Sequence, residues 1–385
     1  MIAVIADDIT GAAEIAGIGL RFGLRVALVM DAAEGMPDVD LLVYATDTRS
    51  MGWADAVQET HRVVHQLKEG GCRTFFKKVD SALRGHVVPE LRVMLEETGL
   101  PKALYLPQNP SKGRVVRGGV YYIDEKPLNE TLFGEDPEFP TLTAVVRERL
   151  PEITAVLSAG EKPEEAGIFA ANAESATEIE AFVAAQADDT LLAGGADLFT
   201  VWLRTLGWQE RALPEFEGLG MQDAIIVRGS TAQHSLAEFD YIKRKNVPLR
   251  EMPSDVFSLK NNPKAWFSTL EEIYEQHRAI AIAVGRHPRR DGKYAIRLRN
   301  IMALATLALV NTRLPHELII EGGATAFAVL RALGWNRFRV TDEIAPGVVR
   351  MKLDGNLEDF NIWDDCEVYI TLKPGSYPWG DRLFR

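Results

Sequence analysis

Two clusters in the first hundred residues carry the side chains that chemistry needs. Asp7 and Asp8 follow the apolar stretch Ile2–Ala6 and lead into Ile9-Thr10-Gly11-Ala12. Adjacent carboxylates at such a turn can bind hydroxyls, hold Mg²⁺ or accept a proton. Asp followed by Thr and Gly also caps a helix, so both readings stand. The second cluster is Lys77-Lys78-Val79-Asp80-Ser81-Ala82-Leu83-Arg84-Gly85. Arg grips a carboxylate bidentately and Asp can take the proton of an attacking hydroxyl, so this turn suits an anionic, hydroxyl-bearing ligand. A solvated charged turn is the alternative. Arg49 follows Thr46-Asp47-Thr48 after a further apolar run. Three polar clusters at strand ends agree better with one site than with three surface turns.

The second half offers glycines in place of charges. Ile319-Ile320-Glu321-Gly322-Gly323-Ala324-Thr325 runs from a strand through two glycines into the helical stretch Ala326–Leu333. Backbone N–H groups at such a turn, aided by the helix dipole, can cradle phosphate. Arg228-Gly229-Ser230-Thr231 and Lys373-Pro374-Gly375-Ser376 repeat the strand, glycine and hydroxyl order. None is a Walker A sequence. His61 and His65 have helical i, i+4 spacing without a metal-binding carboxylate motif, and no metal-ligand set is expected. Arg286-His287-Pro288-Arg289-Arg290 reads as a solvated basic loop.

The elements that must position these turns are short apolar runs separated by helix-length segments. Strands are expected at Ile2–Ala6, Arg25–Val29, Leu41–Ala45, Thr74–Val79, Ala103–Leu106, Gly167–Ala170 and Thr190–Ala193. A second series is expected at Ala224–Val227, Ala279–Val284, Glu317–Ile320 and Glu367–Thr371. Runs apolar at every position suit strands covered on both faces, and strand–helix alternation means α/β with mostly parallel sheets. The Pro-, Gly- and acid-rich stretch 214–221 reads as a linker. It divides a first domain, 1–213, from a second, 222–385, with the ligand cleft expected between them.

Composition bounds the function. The 385 residues are 46% hydrophobic and 25% charged, and 43 basic against 55 acidic side chains give a net charge of −12. That balance excludes the basic face of a nucleic-acid binder but allows a few cations to dominate a cleft. The two cysteines, Cys72 and Cys366, are too few for a disulfide scaffold. The start lacks the basic and long apolar parts of a signal peptide. The run Ile301–Val310 is too short to span a bilayer and reads as a buried helix. A cytoplasmic protein without membrane partners is expected, and an assembly of identical copies is compatible with it.

With these motifs in order, the chain resembles the four-carbon acid sugar kinase family, from the first strand almost to the last residue. Ile5 through Ala12 is similar to that family's opening signature, Thr46 through Ser50 to its second motif, and Lys77 through Gly85 to its third. Gly113-Arg114 through Gly118-Gly119, Pro127-Leu128-Asn129-Glu130-Thr131 and Asp136-Pro137 resemble a loop of its sugar-acid domain. Gly229-Ser230, Gly322-Gly323, Ala328 through Gly334 and Glu343 through Val348 resemble its nucleotide-binding domain. The resemblance implies a sugar acid touched by Asp8, Arg49 and Lys78 through Ser81, with Asp7 and Arg84 beside them. It implies ATP touched by Ser230, Gly322, Gly323, Ala324, Thr325 and Gly375. The chain departs from the pattern at Ala324 and Ala326, where Glu and Ser are usual, and at Ala82 and His86, where Thr and Asn are. Its last motif also differs, reading Lys373-Pro374-Gly375-Ser376-Tyr377-Pro378-Trp379-Gly380.

The expected activity is phosphorylation of a sugar-acid hydroxyl by ATP with Mg²⁺. Arg49 and Lys78 would orient the carboxylate, and Asp80, with Asp8 as second candidate, would accept the hydroxyl proton. A sensor that binds acid and nucleotide without turnover is the competing class. A dinucleotide-dependent dehydrogenase lacks the Gly-x-Gly-x-x-Gly it needs.

Overall fold

The structure is a computed structural model. It describes the chain except residues 32–34, 136–139, 187, 217, 230–241, 243, 259, 286–291, 355–366, 376–378 and 380–385. Ser230, the loop 286–290 and Ser376 lie outside the described residues. The chain forms two compact units: residues 1–26 with 32–211, and residues 27–31 with 212–385.

In the first unit the strands are β1 (Ile2–Ala6), β3 (Leu41–Ala45), β4 (Thr74–Lys78), β5 (Lys102–Leu106), β9 (Ala155–Leu157), β10 (Gly167–Ala171) and β11 (Thr190–Gly194). They pair in parallel in the order β3-β1-β4-β11-β5-β10-β9. All five residues of β1 and of β3 are buried, as a sheet covered on both faces requires. Helix α1 (Ile9–Arg21) follows β1 and is buried through most of its length by its small residues. Between β5 and β10 the chain adds a small antiparallel sheet of β6 (Arg114–Arg117), β7 (Val120–Ile123) and β8 (Lys126–Pro127).

The second unit has β12 (Ala224–Arg228), β13 (Leu249–Glu251), β14 (Ala279–Ala283), β15 (Glu317–Glu321) and β18 (Tyr369–Lys373) in a parallel order β13-β14-β12-β15-β18. Two antiparallel strands, β16 (Arg337–Ala345) and β17 (Val348–Leu353), extend it beyond β18. The segment β2 (Val26–Val29) pairs through Ala27, Leu28 and Val29 with β16, so residues from early in the chain complete this sheet. Phe216 and Leu219, in the stretch expected as a linker, are buried in the core of this unit with Ile226, Ile344 and Trp379. The expected buried helix is the middle of Gly292–Thr312; Met302, Ala305 and Leu309 face the core while Leu304 stays exposed. Among the described residues no helix is long and apolar enough to cross a membrane.

Gly194 ends β11 opposite Leu106 of β5. A Cβ there would collide with the Leu106 carbonyl oxygen and the Leu198 side chain. Backbone cannot yield as a side-chain tip can, so Gly194→Ala should destabilise the first unit by about 1–3 kcal/mol. Urea unfolding followed by far-UV circular dichroism reads this directly, and an unchanged midpoint would show that the β5–β11 approach is slack.

Candidate functional site

The strand order β3-β1-β4 places the turns carrying Arg49, Asp7 and Asp8, and Asp80 at neighbouring carboxyl ends. Ligands of open α/β sheets bind at such ends. Arg49 is the hub. Its Nε and Nη2 donate to the two oxygens of Asp7 at 2.8 and 2.9 Å, and Nη1 donates to Asp8 Oδ2 at 3.0 Å. Nη1 also lies 3.5 Å from Asp80 Oδ1. Sequence reasoning expected this guanidinium to grip an incoming carboxylate; in the structure most of its donors already face the protein's own acids.

Asp80 is fully engaged as well. Arg84 binds it bidentately, with Nε 2.8 Å from Oδ2 and Nη2 2.9 Å from Oδ1, and the backbone N–H groups of Ala82 and Arg84 donate to Oδ2. Burial alone would raise its pKa, but Arg84, Arg49 and Lys78 outweigh burial and hold the carboxyl far below the usual carboxylate range. Asp8 is lowered by the same balance, with burial opposed by Arg49, Lys78, the Thr10 hydroxyl and the Gly11 N–H. The capping reading of Asp8 is realised, since its Oδ1 accepts from Gly11 N at 2.9 Å at the start of α1, while its Oδ2 faces Arg49.

Lys78 is buried and donates to the Val79 carbonyl at 3.0 Å. Its Nζ lies 3.5 Å from Glu14, which also pairs at 2.5 Å with Lys112. Sequence reasoning missed Glu14; the signal was a lone acid in the small, apolar helix α1. Lys77 points to the other face of β4 and forms a buried ion pair with Glu90. Ser81 accepts from Arg114 at its hydroxyl and from the Tyr121 hydroxyl at its carbonyl. Arg84 and Arg114 share the Phe133 ring, at 5.1 and 5.6 Å from its centroid, and Arg149 donates to the Leu83 carbonyl at 3.1 Å. Leu83 has a φ of 58°, a conformation a branched side chain seldom takes without support from its surroundings.

In the second unit a buried ionic row crosses the carboxyl ends of β12, β15 and β18. Arg228 pairs in register with Glu321, and Glu321 with Lys373. Glu321 lies 3.2 Å from Arg228 and 3.1 Å from Lys373. Beyond the row, Gly322 has a φ of 101° and caps the ten-residue helix Gly323–Ala332. Thr325 is buried and its side chain occupies the space where a Cβ on Gly229 would stand, so these two expected nucleotide turns adjoin. Ala324 is exposed on the same helix. Gly375 follows Lys373 by two residues, and the Gly322 N–H donates to the Lys373 carbonyl at 2.9 Å. Among the described residues no group of three His, Cys, Asp or Glu side chains is placed to hold a metal ion. His61 and His65 meet Glu97 at 2.9 and 3.7 Å on an exposed face.

Residues 2–201 match a family model described as a sugar-binding N-terminal domain, and residues 226–378 one described as a nucleotide-binding C-terminal domain. A D-threonate kinase of Bordetella bronchiseptica is 27% identical over 100% of this chain and 96% of its own length. A 3-oxo-tetronate kinase of Haemophilus influenzae is 24% identical over 98% of this chain and 97% of its own. A D-erythronate kinase of Heliobacterium modesticaldum is 29% identical over 38% of this chain and 34% of its own. Among solved structures, a Salmonella typhimurium protein matches with a TM-score of 0.77 at 19% identity, covering 100% of this chain and 97% of its own. A Haemophilus influenzae protein matches with a TM-score of 0.72 at 20% identity, covering 99% and 98%. These two likenesses speak for the fold.

Breaking a buried ion network by removing one partner leaves uncompensated charge, at a cost of about 3–5 kcal/mol. Arg49→Met should show that loss in urea unfolding at pH 7. The sign with pH follows from the depressed pKa values of Asp8 and Asp80. The stabilisation is present above the unfolded carboxylate pKa, about 4, and fades as pH falls through the folded values below it. The gap between variant and wild type should therefore narrow only under acid; a constant gap from pH 7 downward would refute the network reading.

Proposed function

Because the chain belongs to the four-carbon acid sugar kinase family, we propose that it transfers the γ-phosphoryl group of ATP to a hydroxyl of a four-carbon sugar acid. The observation that carries this is the convergence of Asp8, Arg49, Lys78 and Asp80 on neighbouring strand ends of the unit that matches a sugar-binding domain. The relatives named for D-threonate, 3-oxo-tetronate and D-erythronate share a carboxylate and a hydroxyl-bearing chain, which this mixture of acids and cations suits. A binding protein without turnover is disfavoured, since the relatives that span this chain are kinases.

Phosphoryl transfer asks for alignment and charge neutralisation more than for covalent help. On this reading Asp80 and Asp8 hold the reacting hydroxyl and one of them receives its proton. Lys78, Ser81 and Arg84 line the acceptor position, and Asp7 fixes Arg49 from below. The backbone around Gly322, Gly323, Ala324 and Gly375, with Thr325 and Ser230, would take the phosphates. Glu321 is already neutralised by Arg228 and Lys373, and the acids of the first unit are engaged by arginines. These donors do not fit a resident metal cage, and Mg²⁺ would enter as MgATP, on phosphate oxygens. A place in the cytoplasm fits such a substrate pair.

The test is coupled ADP release with MgATP and a panel of three- to six-carbon sugar acids. One or more four-carbon acids should drive release, and Asp80→Asn should lower kcat by about 10²- to 10⁴-fold while MgATP still binds. Silence across the panel would sink the kinase reading, and near-normal turnover in the variant would remove Asp80 from proton transfer.

A further inference from the structure

Cations near the acceptor site divide by whether the protein supplies a counter-ion. Arg49 has Asp7, Asp8 and Asp80; Arg84 has Asp80; Lys78 and Lys112 have Glu14. Arg114, at the start of β6, is half-buried and forms no ion pair among the described residues. Its Nη1 donates to Ser81, next in sequence to Asp80, and its guanidinium lies over the Phe133 ring it shares with Arg84. The remaining N–H groups of its fork have no acceptor among the described residues. A partly desolvated guanidinium without a carboxylate is costly, and Arg presents a planar fork matched to bidentate binding of one.

Two further donors lie by the same turn. Tyr105, one residue before the end of β5, is fully buried, and its hydroxyl has no hydrogen-bond partner among the described residues. Its ionisation is opposed first by burial and then by the nearness of Tyr121, Asp80 and Asp7, while Arg149 favours it, so the phenol sits among these groups. Arg149, half-buried, uses Nε on the Leu83 carbonyl and likewise has no ion pair among the described residues. Buried polar groups in native proteins find partners; two guanidinium forks with donors to spare and one buried phenol without a described partner, around one turn, suit an anion from outside.

We propose that Arg114 is the receptor for the carboxylate of the sugar acid, with Arg149 and the Tyr105 hydroxyl beside it. Arg49 is then a positioning residue that holds the acids of β1 and β4 in place. The proposal rests on the sugar-acid reading of this site and names its specificity-determining residue. Discrimination against neutral polyols follows, because a neutral group leaves the Arg114 charge unmet.

Isothermal titration of the full chain, with a non-hydrolysable MgATP analogue present, tests this using D-threonate and its neutral counterpart threitol. Arg114→Met should weaken D-threonate binding by about 10- to 150-fold, the range of a lost charge-assisted hydrogen bond. Arg114→Lys keeps the charge without the fork and should lose roughly tenfold; it decides the matter if the Met variant does not fold. Both variants should leave threitol and nucleotide affinities unchanged. Equal weakening of threitol would mark Arg114 as a scaffold for the Ser81 turn and overturn the proposal, as would unaltered D-threonate binding. Absence of D-threonate and D-erythronate binding in the wild type would overturn it too. Arg114-dependent acid binding without ADP release would uphold the receptor while refuting the kinase. Full activity in the Arg114 variants would do the reverse.

Discussion

The guanidinium of Arg49 is the constraint on which the first unit's site depends. Three carboxylates at the ends of two strands repel one another at neutral pH, and desolvation adds to the cost of keeping them charged. One planar cation donated from the neighbouring strand end offsets both terms at once. It does so without using a substrate group, so the acids are fixed before any ligand arrives. Such pre-organisation is what positioning chemistry requires. Arg84 repeats the arrangement locally by closing Asp80 into its own turn, with the Ser81 and Leu83 carbonyls held by Tyr121 and Arg149 and the Ser81 hydroxyl by Arg114.

The second unit solves a similar problem with a simpler row. Arg228, Glu321 and Lys373 stand side by side on three parallel strands, all buried, with the acid between two cations. The row ends at the residues just before Gly229 and Gly322 and two before Gly375. Fixed cations beside a helix N-terminus favour bound phosphates. In both units, therefore, buried ion networks lie at strand carboxyl ends. The glycines matter by letting backbone approach; Gly322, at a φ of 101°, holds a conformation that other residues rarely adopt.

Where apolar runs lay between turns, the sequence was legible: Ile2–Ala6 and Leu41–Ala45 are strands at the expected bounds. The misses have physical causes. Strand ends were read where apolarity stopped, yet β12, β15 and β18 continue through Arg228, Glu321 and Lys373, because each charge is neutralised by the strand beside it. The final strand was expected at Glu367–Thr371 and runs Tyr369–Lys373 for that reason. The antiparallel pair β16 and β17 went unread because its residues alternate between core and solvent, and the motif 343–348 drew attention to its turn alone. The strands of β6–β8 are too short to show a period. Among candidate site residues, types and turns were legible, whereas pairing was not. Which cation meets which acid depends on strand order, and sequence does not display that order.

Strand order also recasts the acid expected to receive the proton. A carboxylate held far below its usual pKa by Arg84 and Arg49 is a feeble base, and an early proton abstraction by Asp80 would be uphill. In a loose phosphoryl-transfer transition state the attacking oxygen keeps its proton until bonding to phosphorus is well advanced, by which point that oxygen is strongly acidic. On the proposed role, a weakly basic, rigid carboxylate is then well suited, because it orients the hydroxyl by accepting its hydrogen bond and takes the proton only late. The pKa of Asp8 is also lowered, but Asp8 is in addition bound to the start of α1 through Gly11. The difference between the two acids lies in what holds them, a side-chain fork for Asp80 and a helix cap for Asp8. Both arrangements keep a charged oxygen at a fixed place, which orienting a hydroxyl would ask of it more than proton affinity.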